Sequence, residues 1–231
     1  MFRFKRFIVR HDRCAMKVGT DGVLLGAWSD IGQASRILDV GTGTGLVALM
    51  LAQRSQAKIV ALEIDTDAIL QAEENIEDSP WRDRIEVIGQ DFRTFASDEK
   101  FDLIVSNPPY FVDSLECPGK QRTMARHNDS LSYDELLEGV VRLLTYNGRF
   151  CVIIPMDMSE SLKARAAVLD LFPSKQLDVI TTPGKPPKRT LLEFVFNSGV
   201  ICNRTELLLE IQRHQYSPEY IELTKDFYLN M

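Results

Sequence analysis

The feature that most constrains the fold is a repeated alternation between short apolar runs and segments of helical composition. Arg36 to Val40 is an apolar run that ends at glycines, and Leu46 to Gln53 has the composition of a helix. Lys58 to Glu63 and Arg84 to Ile88 are predicted strands, and between them Asp67 to Glu77 is a predicted helix that opens on acids. This β-α-β-α-β order predicts a parallel sheet with crossover helices.

The same alternation continues into the middle of the chain. Phe101 to Ser106 is a fourth predicted strand, and the Asn-Pro-Pro that follows it cannot easily extend a central strand or a helix. Ser132 to Leu144 carries its leucines and valines on one face, which predicts an amphipathic helix closed by Asn147-Gly148. We expect a fifth strand from Arg149 to Ile154 and a further helix from Ser159 to Leu171.

The C-terminal third changes in character. Gln176 to Thr181, Thr190 to Asn197 and Glu206 to Gln212 are predicted strands joined by short links, and we expect the last two to pair antiparallel. The whole pattern predicts an α/β fold, an open and mostly parallel sheet with helices on both faces and antiparallel C-terminal strands. With no internal repeat or linker, residues 1–231 are expected to form one domain with a short basic N-terminal arm of about 30 residues.

The composition and the short apolar runs argue against a disordered chain and against a membrane-spanning protein. A chain of 231 residues with 45% hydrophobic and 26% charged residues has enough apolar material for a sizeable core. The longest apolar runs, such as Leu46 to Ala52, are far shorter than the roughly 18 residues that span a bilayer, and charges interrupt the apolar N-terminus. We therefore expect a cytoplasmic protein with no membrane contact.

The cysteines and histidines show no metal-binding pattern. The four cysteines are scattered without a C-x-x-C pair, which favours free thiols over disulfides or a zinc site. The three histidines lack the spacing of metal ligands, so no metal is expected. These residues are Cys14, Cys117, Cys151, Cys202, His11, His127 and His214.

The charge of the chain is unevenly distributed. The formal net charge is −6, but residues 1–20 carry six basic side chains against one acidic one. Further basic clusters lie at Lys120/Arg122/Arg126 and at Lys185/Lys188/Arg189. Solvated surface charge would explain any one cluster, whereas three clusters indicate a nucleic-acid interface. The candidate RNA-binding residues are Arg3, Lys5, Arg6, Arg10, Lys185, Lys188 and Arg189.

Polar and glycine residues follow each of the first four predicted strands, where open α/β sheets bind their ligands. The glycine spacing after the first strand is G-x-G-x-G, and an acid about 20 residues further on suits a ribose. A turn without a ligand remains the alternative for the loop, as do a helix cap and a turn former for its acids. The strand-end segments are Asp39-Val-Gly41-Thr-Gly43-Thr-Gly45, Glu63-Ile-Asp65, Gln90-Asp91-Phe92 and Asn107-Pro108-Pro109-Tyr110.

This set of segments resembles the Rossmann-like class I S-adenosylmethionine-dependent methyltransferases. The resemblance implies that Glu63 holds the cofactor ribose and that Asp91 with Phe92 contacts the adenine. It also implies that four loop residues shape the methionine end, namely Asp39, Gly41, Gly43 and Gly45. The implied cofactor is S-adenosyl-L-methionine.

Asn107-Pro108-Pro109-Tyr110 is similar to the catalytic signature of methyltransferases that modify a planar nitrogen. The lone pair of such a nitrogen is delocalised, so the free amine is a poor nucleophile. The Asn107 side-chain oxygen and the Pro108 carbonyl can accept its two hydrogens and favour a pyramidal nitrogen. Tyr110 offers a flat face for a base taken out of its stack. Asn107 is thus both a catalytic and a cofactor-site candidate, and Pro108 and Tyr110 are catalytic candidates.

The flanking segments narrow the resemblance to the bacterial tRNA(Val) adenine-N6 methyltransferases, which modify A37 of the anticodon loop. The matching segments are Lys17 to Trp28, Ala125-Arg-His127, Lys185 to Arg189 and Asp226 to Leu229. The implied function is methylation of N6 of an adenine in tRNA, with tRNA as the partner. Residues 112–122 match no pattern of this family.

Three other functions stay open at the level of sequence. A protein glutamine-N5 methyltransferase would share Asn-Pro-Pro-Tyr but carries a helical domain before the glycine loop, and only about 35 residues stand there. A ribosomal-RNA or DNA amino-methyltransferase is the second alternative, and an inactive cofactor-binding scaffold is the third. Intact Asn107 and Tyr110 argue against the scaffold, and a monomer is the expected oligomeric state.

Overall fold

The apolar runs of the sequence form the strands of one large sheet. A computed structural model describes residues 1–14, 17–109 and 131–231. The strands are β1 (Phe2–Arg3), β2 (Ile8–Val9), β3 (Arg36–Val40), β4 (Lys58–Glu63), β5 (Ile85–Gly89), β6 (Phe101–Ser106), β7 (Leu144–Pro155), β8 (Phe172–Ile180), β9 (Arg189–Val195), β10 (Asn203–Leu208), β11 (Glu210–Gln212) and β12 (Gln215–Tyr216). The helices are α1 (Thr20–Trp28), α2 (Leu46–Arg54), α3 (Thr66–Glu77), α4 (Tyr133–Leu143), α5 (Ser159–Val168) and α6 (Pro218–Thr224).

Eight strands make the main sheet, in the order β10-β8-β9-β7-β6-β3-β4-β5. β9 runs antiparallel to β7 and β8, and the other neighbours are parallel. The chain builds outward from β3 through β4 to β5 and then returns to the other side of β3 with β6. Such a reversal opens a crevice at the carboxyl ends of β3 and β6, where α/β sheets bind ligands.

Alternate side chains of each central strand enter two separate cores, because successive residues of a strand point to opposite faces. Ile37 packs with α1, α2 and part of α3 on one face, and Leu38 packs with α4 and α5 on the other. The same alternation holds for Leu103 and Ile104 in β6. The predicted open sheet with helices on both faces is therefore confirmed.

The expected antiparallel pairing of the last two strands is wrong. β10 pairs in parallel with β8, and β8 lies between β10 and β9. Five consecutive residues of β9, from Thr190 to Phe194, are buried, whereas four of the six residues of β10 are exposed. β9 therefore needs a neighbour on each side, and the more polar β10 suits the edge of the sheet.

The segment after α4 also differs from the prediction. Ser132 and Glu135 form a capping box at the start of α4, as the serine and acid suggest. However, β7 begins at Leu144, directly after the helix, and Asn147-Gly148 lies inside β7 rather than closing the helix. The register between β6 and β7 shifts here, because Phe101 pairs with Leu144 and Leu103 with Arg149, so β7 has more residues than β6 between these two pairs.

The basic N-terminal arm is anchored to the body of the protein. α1, which sequence analysis did not predict, packs on α2, and a Cβ on Gly26 would lie 2.8 Å from Met50. Upstream of it, the rings of Phe4 and Phe7 are stacked at 4.6 Å and buried. Among the described residues, no helix is long and apolar enough to cross a membrane.

Candidate active site

The glycine loop after β3 has a conformation that favours glycine. Gly41, Gly43 and Gly45 have φ angles of +70°, +56° and +79°. A Cβ on Gly41 or Gly43 would meet no atom within 4 Å, so both residues face open space. Because that space lies at the carboxyl ends of the strands, the loop forms a cradle in which a ligand can approach the backbone closely.

Asp39 shapes this loop from inside the protein. Its side chain is buried, and Oδ2 accepts hydrogen bonds from Thr42 Oγ1 at 2.6 Å and from the Ala48 amide at 3.1 Å. Burial raises the pKa of Asp39 to about 7, although the Thr42 and Ala48 bonds oppose the rise. The carboxyl group therefore joins the loop to the first turn of α2, which combines a loop-shaping and a helix-capping role.

Glu63, at the end of β4, fixes the other side of the cradle. Its Oε2 accepts the Gly43 amide at 2.8 Å, and its Oε1 accepts the amides of Ile64 and Asp65 at 2.9 and 3.1 Å. A carboxylate oxygen accepts about two hydrogen bonds, so Oε1 is already satisfied, whereas Oε2 can accept a further bond from a ligand. The carboxylate is therefore held in place and retains capacity for a ribose hydroxyl.

Asp91 and Phe92 follow β5 and form the far wall of the site. Arg93 donates to both oxygens of Asp91, and this contact lowers the pKa of the Asp91 carboxyl group. The Phe92 ring is buried beneath α4, where a Cβ on Gly139 would clash with it. Arg142 of α4 donates to the main-chain oxygens of Phe92 and Phe95, so α4 fixes this wall.

Asn107 and Pro108 follow β6, beside the glycine loop. Ser106 Oγ donates to the Val40 carbonyl at 3.0 Å, which ties the ends of β6 and β3 together. Asn107 Oδ1 is buried, and within residues 1–14, 17–109 and 131–231 it has no hydrogen-bond partner. A buried acceptor without a partner costs free energy, which is typical of a position that meets its partner on a ligand. Tyr110 lies outside the described residues.

Two cavities meet at these residues, and Gly41, Gly43 and Asn107 line both. The first, of about 350 Å³, is also lined by Glu63, Asp91 and Phe92. The second, of about 440 Å³, extends from the glycine loop past Asp39 to the start of α1. The structure thus brings together the described candidates for the cofactor and for catalysis except Gly45, which lines neither cavity and faces Ile76 and Ala72 of α3.

Sequence analysis missed several residues of the two cavities. These are Cys14, Ile64, Ala68, Ser106 and Leu131 in the first cavity, and Val18 to Gly22 in the second. Burial raises the pKa of Cys14 to about 11, with Glu63 adding to the rise, so its thiol is protonated at neutral pH. Ile64 is adjacent to the Glu63 signal and could have been identified, whereas Cys14 and Leu131 come from parts of the chain that carry no motif.

The candidate RNA-binding residues fall into two groups. Arg3, Lys185 and Lys188 are exposed, and they form no ion pair within the described part of the chain. The others already contact the protein itself. These contacts are Arg10 with Asp78 and Glu74, Arg189 with Asp21, Lys5 with the main-chain oxygens of Lys225 and Met231, and Arg6 over the Trp81 ring. The Lys120/Arg122/Arg126 cluster lies outside the described residues.

The part of the chain that the structure describes contains neither a metal-binding cluster nor a disulfide bond. No group of His, Cys, Asp and Glu residues there could hold a metal ion. Cys14, Cys151 and Cys202 are free thiols, while Cys117 falls in the segment that is not described.

Comparisons with known proteins identify the family. The family model of the methyltransferase small domain matches residues 18–172. A tRNA1(Val) (adenine(37)-N6)-methyltransferase of Bacteroides fragilis is 61% identical over 100% of this chain and 98% of its own length. Proteins of the same name from Bacteroides thetaiotaomicron and Trichodesmium erythraeum are 60% and 46% identical, over at least 99% of this chain and 97% of their own lengths. The chain belongs to the family of the tRNA1(Val) (adenine(37)-N6)-methyltransferases.

Solved structures support the fold independently. A predicted O-methyltransferase from Agrobacterium tumefaciens has a TM-score of 0.68 at 19% identity, over 90% of this chain and 96% of its own. A glycopeptide N-methyltransferase in complex with S-adenosyl-L-methionine has a TM-score of 0.58 at 13% identity, over 82% and 100%. The expected class I methyltransferase fold is therefore confirmed.

Proposed function

We propose that this protein transfers the methyl group of S-adenosylmethionine to N6 of adenine 37 in the anticodon loop of a valine tRNA. The names of its relatives support the substrate. The observation that carries the chemistry is the buried Asn107 Oδ1, an acceptor without a partner among the described residues, directly beside the glycine cradle. An exocyclic amine is the kind of donor that would satisfy it.

The residues of the first and second cavities fit S-adenosylmethionine. Gly41 and Gly43 leave space that a Cβ would fill, and Glu63 Oε2 keeps acceptor capacity for a ribose hydroxyl. Asp39 and Gly45 fix the loop that would surround the methionine portion, while Asp91 and Phe92 bound the adenine side. When bound, the cofactor supplies an electrophilic methyl group on a sulfonium.

Asn107 and Pro108 activate the adenine amine by holding its hydrogens. The Asn107 Oδ1 and the Pro108 carbonyl each accept one N–H of the amine, which favours a tetrahedral nitrogen whose lone pair points at the methyl group. These bonds strengthen as the nitrogen gains positive charge, so they stabilise the transition state more than the bound substrate. The cationic nitrogen then loses a proton readily, so no strong base is required.

The RNA is held by charge and delivers its base by flipping. Arg3, Lys185 and Lys188 are exposed and are available to phosphates, which supply most of the affinity in protein–nucleic acid complexes. The target adenine has to leave its stack to reach Asn107, and Tyr110 is the residue that we assign to stack on it. A base in an anticodon loop is already unpaired, so only its stacking has to be lost in this step.

The direct test is methyl transfer to defined substrates. The purified protein, S-adenosylmethionine and an unmodified valine tRNA transcript should yield N6-methyladenosine on nucleoside analysis, and a transcript with guanine at position 37 should not. Asn107→Ala serves as the inactive control. Methylation of a peptide release factor, of ribosomal RNA or of DNA instead of the tRNA would replace the substrate with one of the alternatives. No transfer to any of these by a protein that binds the cofactor would favour the scaffold.

A further inference from the structure

A groove opens beside the two cavities, and none of the proposed catalytic or cofactor-binding residues lines it. It has a volume of about 690 Å³ and is lined by parts of β1, the turn after β8, β12 and the segment after α6. Val18, Gly19 and Thr20 line both this groove and the cavity that reaches Asn107. The groove and the cavity therefore lie on either side of the same short segment.

Four aromatic side chains in the lining of the groove form a chain of contacts, and one of them is well exposed. Tyr216 is 42% exposed, and its ring lies 5.2 Å from that of the buried Tyr220. Tyr220 contacts Tyr228 at 6.4 Å, and Tyr228 packs edge-on against Phe2 at 5.9 Å. Phe2 and Tyr228 are both partly buried. The Tyr216 ring is thus held in place by its neighbour and remains accessible.

Basic side chains border this aromatic lining. Arg3 is itself part of the groove, and Lys185 lies in a turn whose first residues, Thr181 and Thr182, also line it. Glu210 is an acidic side chain in the same lining. Aromatic rings beside basic groups are the arrangement that binds single-stranded nucleic acid, through stacking on the bases and attraction of the phosphates.

We propose that this groove is a nucleotide subsite, in which a base adjacent to the target adenine stacks on Tyr216. The inference rests on the proposed function, since it takes the substrate to be an RNA loop. A base that is flipped out leaves its neighbours partly unstacked. Because Val18, Gly19 and Thr20 line both the groove and the catalytic cavity, an RNA strand that passes over this segment would bring one of these neighbours to Tyr216 and its phosphate to Arg3.

Replacement of Tyr216 separates stacking from folding. Tyr216→Leu keeps an apolar contact on Tyr220 but has no ring, and Tyr216→Phe keeps the ring without the hydroxyl. Tyr146→Ala is the matched control, because Tyr146 is 78% exposed near the start of β7, whereas the site lies at the carboxyl ends of the strands. The probe is the anticodon stem-loop of a valine tRNA, intact or with single abasic nucleotides.

Loss of the ring should weaken binding of the RNA without slowing the chemical step. We expect Tyr216→Leu to raise the Kd for the stem-loop roughly tenfold and to leave the single-turnover rate at saturating RNA close to that of the wild type. Tyr216→Phe and Tyr146→Ala should retain wild-type affinity. One abasic nucleotide next to the target should weaken binding to the wild type but not weaken binding to Tyr216→Leu any further.

The outcomes distinguish this subsite from the proposed activity. Methyl transfer to tRNA with equal RNA affinity in the wild type and Tyr216→Leu would remove the subsite and keep the activity. Affinity that depends on Tyr216, in a protein that transfers no methyl group to tRNA, would keep the subsite and remove the activity. A wild-type dimer that Tyr216→Leu converts to a monomer, with RNA affinity unchanged, would show that the groove is an interface between two copies of the chain.

Discussion

The two sides of the molecule that we propose to bind the cofactor and the RNA, here called the cofactor side and the RNA side, use different groups. On the cofactor side, backbone amides bind the carboxylates of Asp39 and Glu63, and positive φ angles at the glycines open the cradle. On the RNA side, Arg3, Lys185 and Lys188 extend from the surface and are exposed. A rigid cofactor site requires fixed hydrogen bonds, whereas an RNA backbone is recognised by charges that tolerate movement.

This difference predicts that substitutions on the two sides will change different quantities. A change on the cofactor side should alter rate, cofactor affinity or stability by a large factor at a single residue, because the groups there are buried or held by several hydrogen bonds. A change on the RNA side should alter salt dependence by a small amount per residue, because exposed charges are screened.

Asn107→Ala tests the centre of the cofactor side and should have the largest effect. Loss of one acceptor that acts mainly in the transition state should reduce the single-turnover rate by roughly 10²–10³, while cofactor affinity stays close to the wild-type value. Asn203→Ala, an exposed change on the edge strand β10, is the matched control. A wild-type rate for Asn107→Ala at saturating cofactor and tRNA would show that this motif does not activate the amine.

Asp39 gives the cofactor side a pH-dependent stability. The pKa of Asp39 is about 7 in the folded protein, against an ordinary value near 4, so the folded state holds a proton that the unfolded state loses. The contribution of Asp39 to stability should therefore fall as the pH rises from about 4 to about 7, by a few kcal/mol at most. Above pH 7 the loss is complete.

Asp39→Asn isolates this contribution, because an amide oxygen can still accept from Thr42 and Ala48 but does not titrate. The free energy of unfolding, measured by urea denaturation at several pH values, should decline less steeply between pH 4 and 7 in this variant than in the wild type. Parallel pH profiles for the two proteins would contradict the raised pKa.

Glu63→Ala should weaken cofactor binding by about 1–3 kcal/mol, the scale of a lost charge-assisted hydrogen bond. Part of the loss would come from the Gly43 amide, which would no longer have its partner. Calorimetry with S-adenosylmethionine measures the effect, and Glu86→Ala, an exposed change on β5, controls for the loss of a carboxylate. Wild-type affinity in Glu63→Ala would remove the ribose assignment.

The cofactor side was predictable from sequence because its signals are local. The segments after β3, β4, β5 and β6 are each a few residues long, and parallel strands bring their carboxyl ends to one edge by topology alone. The predicted bounds of β4 and β6 match the structure, and those of α3 and β5 differ by one residue at one or both ends. The residues at the strand ends could therefore be predicted to lie together, and most of them line the two cavities.

The C-terminal strands and the arm were not predictable in the same way, because their positions depend on distant partners. β8 separates β10 from β9, and nothing in the composition of β10 specifies that neighbour. Charge patterning predicted that Arg10 binds phosphate, but the pattern could not show that Asp78, 68 residues away, lies beside it. Cys14 likewise reaches the first cavity only through the path of the arm.

Asn75 joins the N-terminal arm to the glycine loop. Its buried side chain, 1% exposed, donates to the carbonyls of Arg10 at 2.9 Å and Thr44 at 2.8 Å, and accepts the Arg10 amide. Asn75→Ala would leave backbone groups of the arm and of the glycine loop without partners. We expect unfolding to become easier by about 1–3 kcal/mol and cofactor affinity to fall by a smaller factor than in Glu63→Ala.

The control for this prediction is Gln71→Ala, since Gln71 makes one bond to the arm, with the Arg13 amide at 3.2 Å. Stability in thermal unfolding and cofactor affinity in calorimetry should both be highest in the wild type, lower in Gln71→Ala and lowest in Asn75→Ala. If Asn75→Ala loses stability but binds the cofactor like the wild type, the arm and the loop are joined structurally without a consequence for the site.

The smallest effect is expected on the RNA side. There, the salt dependence of tRNA binding should distinguish exposed lysines from a basic side chain that already forms ion pairs. Lys185→Gln together with Lys188→Gln should reduce the slope of log K against log salt for tRNA binding by about one for each phosphate contact that is lost. Arg10→Gln should leave the slope unchanged, because Arg10 already pairs with Asp78 and Glu74. Fluorescence titrations of labelled tRNA at four or five salt concentrations, on the order of 50–200 mM, measure both slopes. An altered slope in Arg10→Gln with an unchanged slope in the double lysine variant would reverse the assignment and place the phosphates along α3 rather than along the turn before β9.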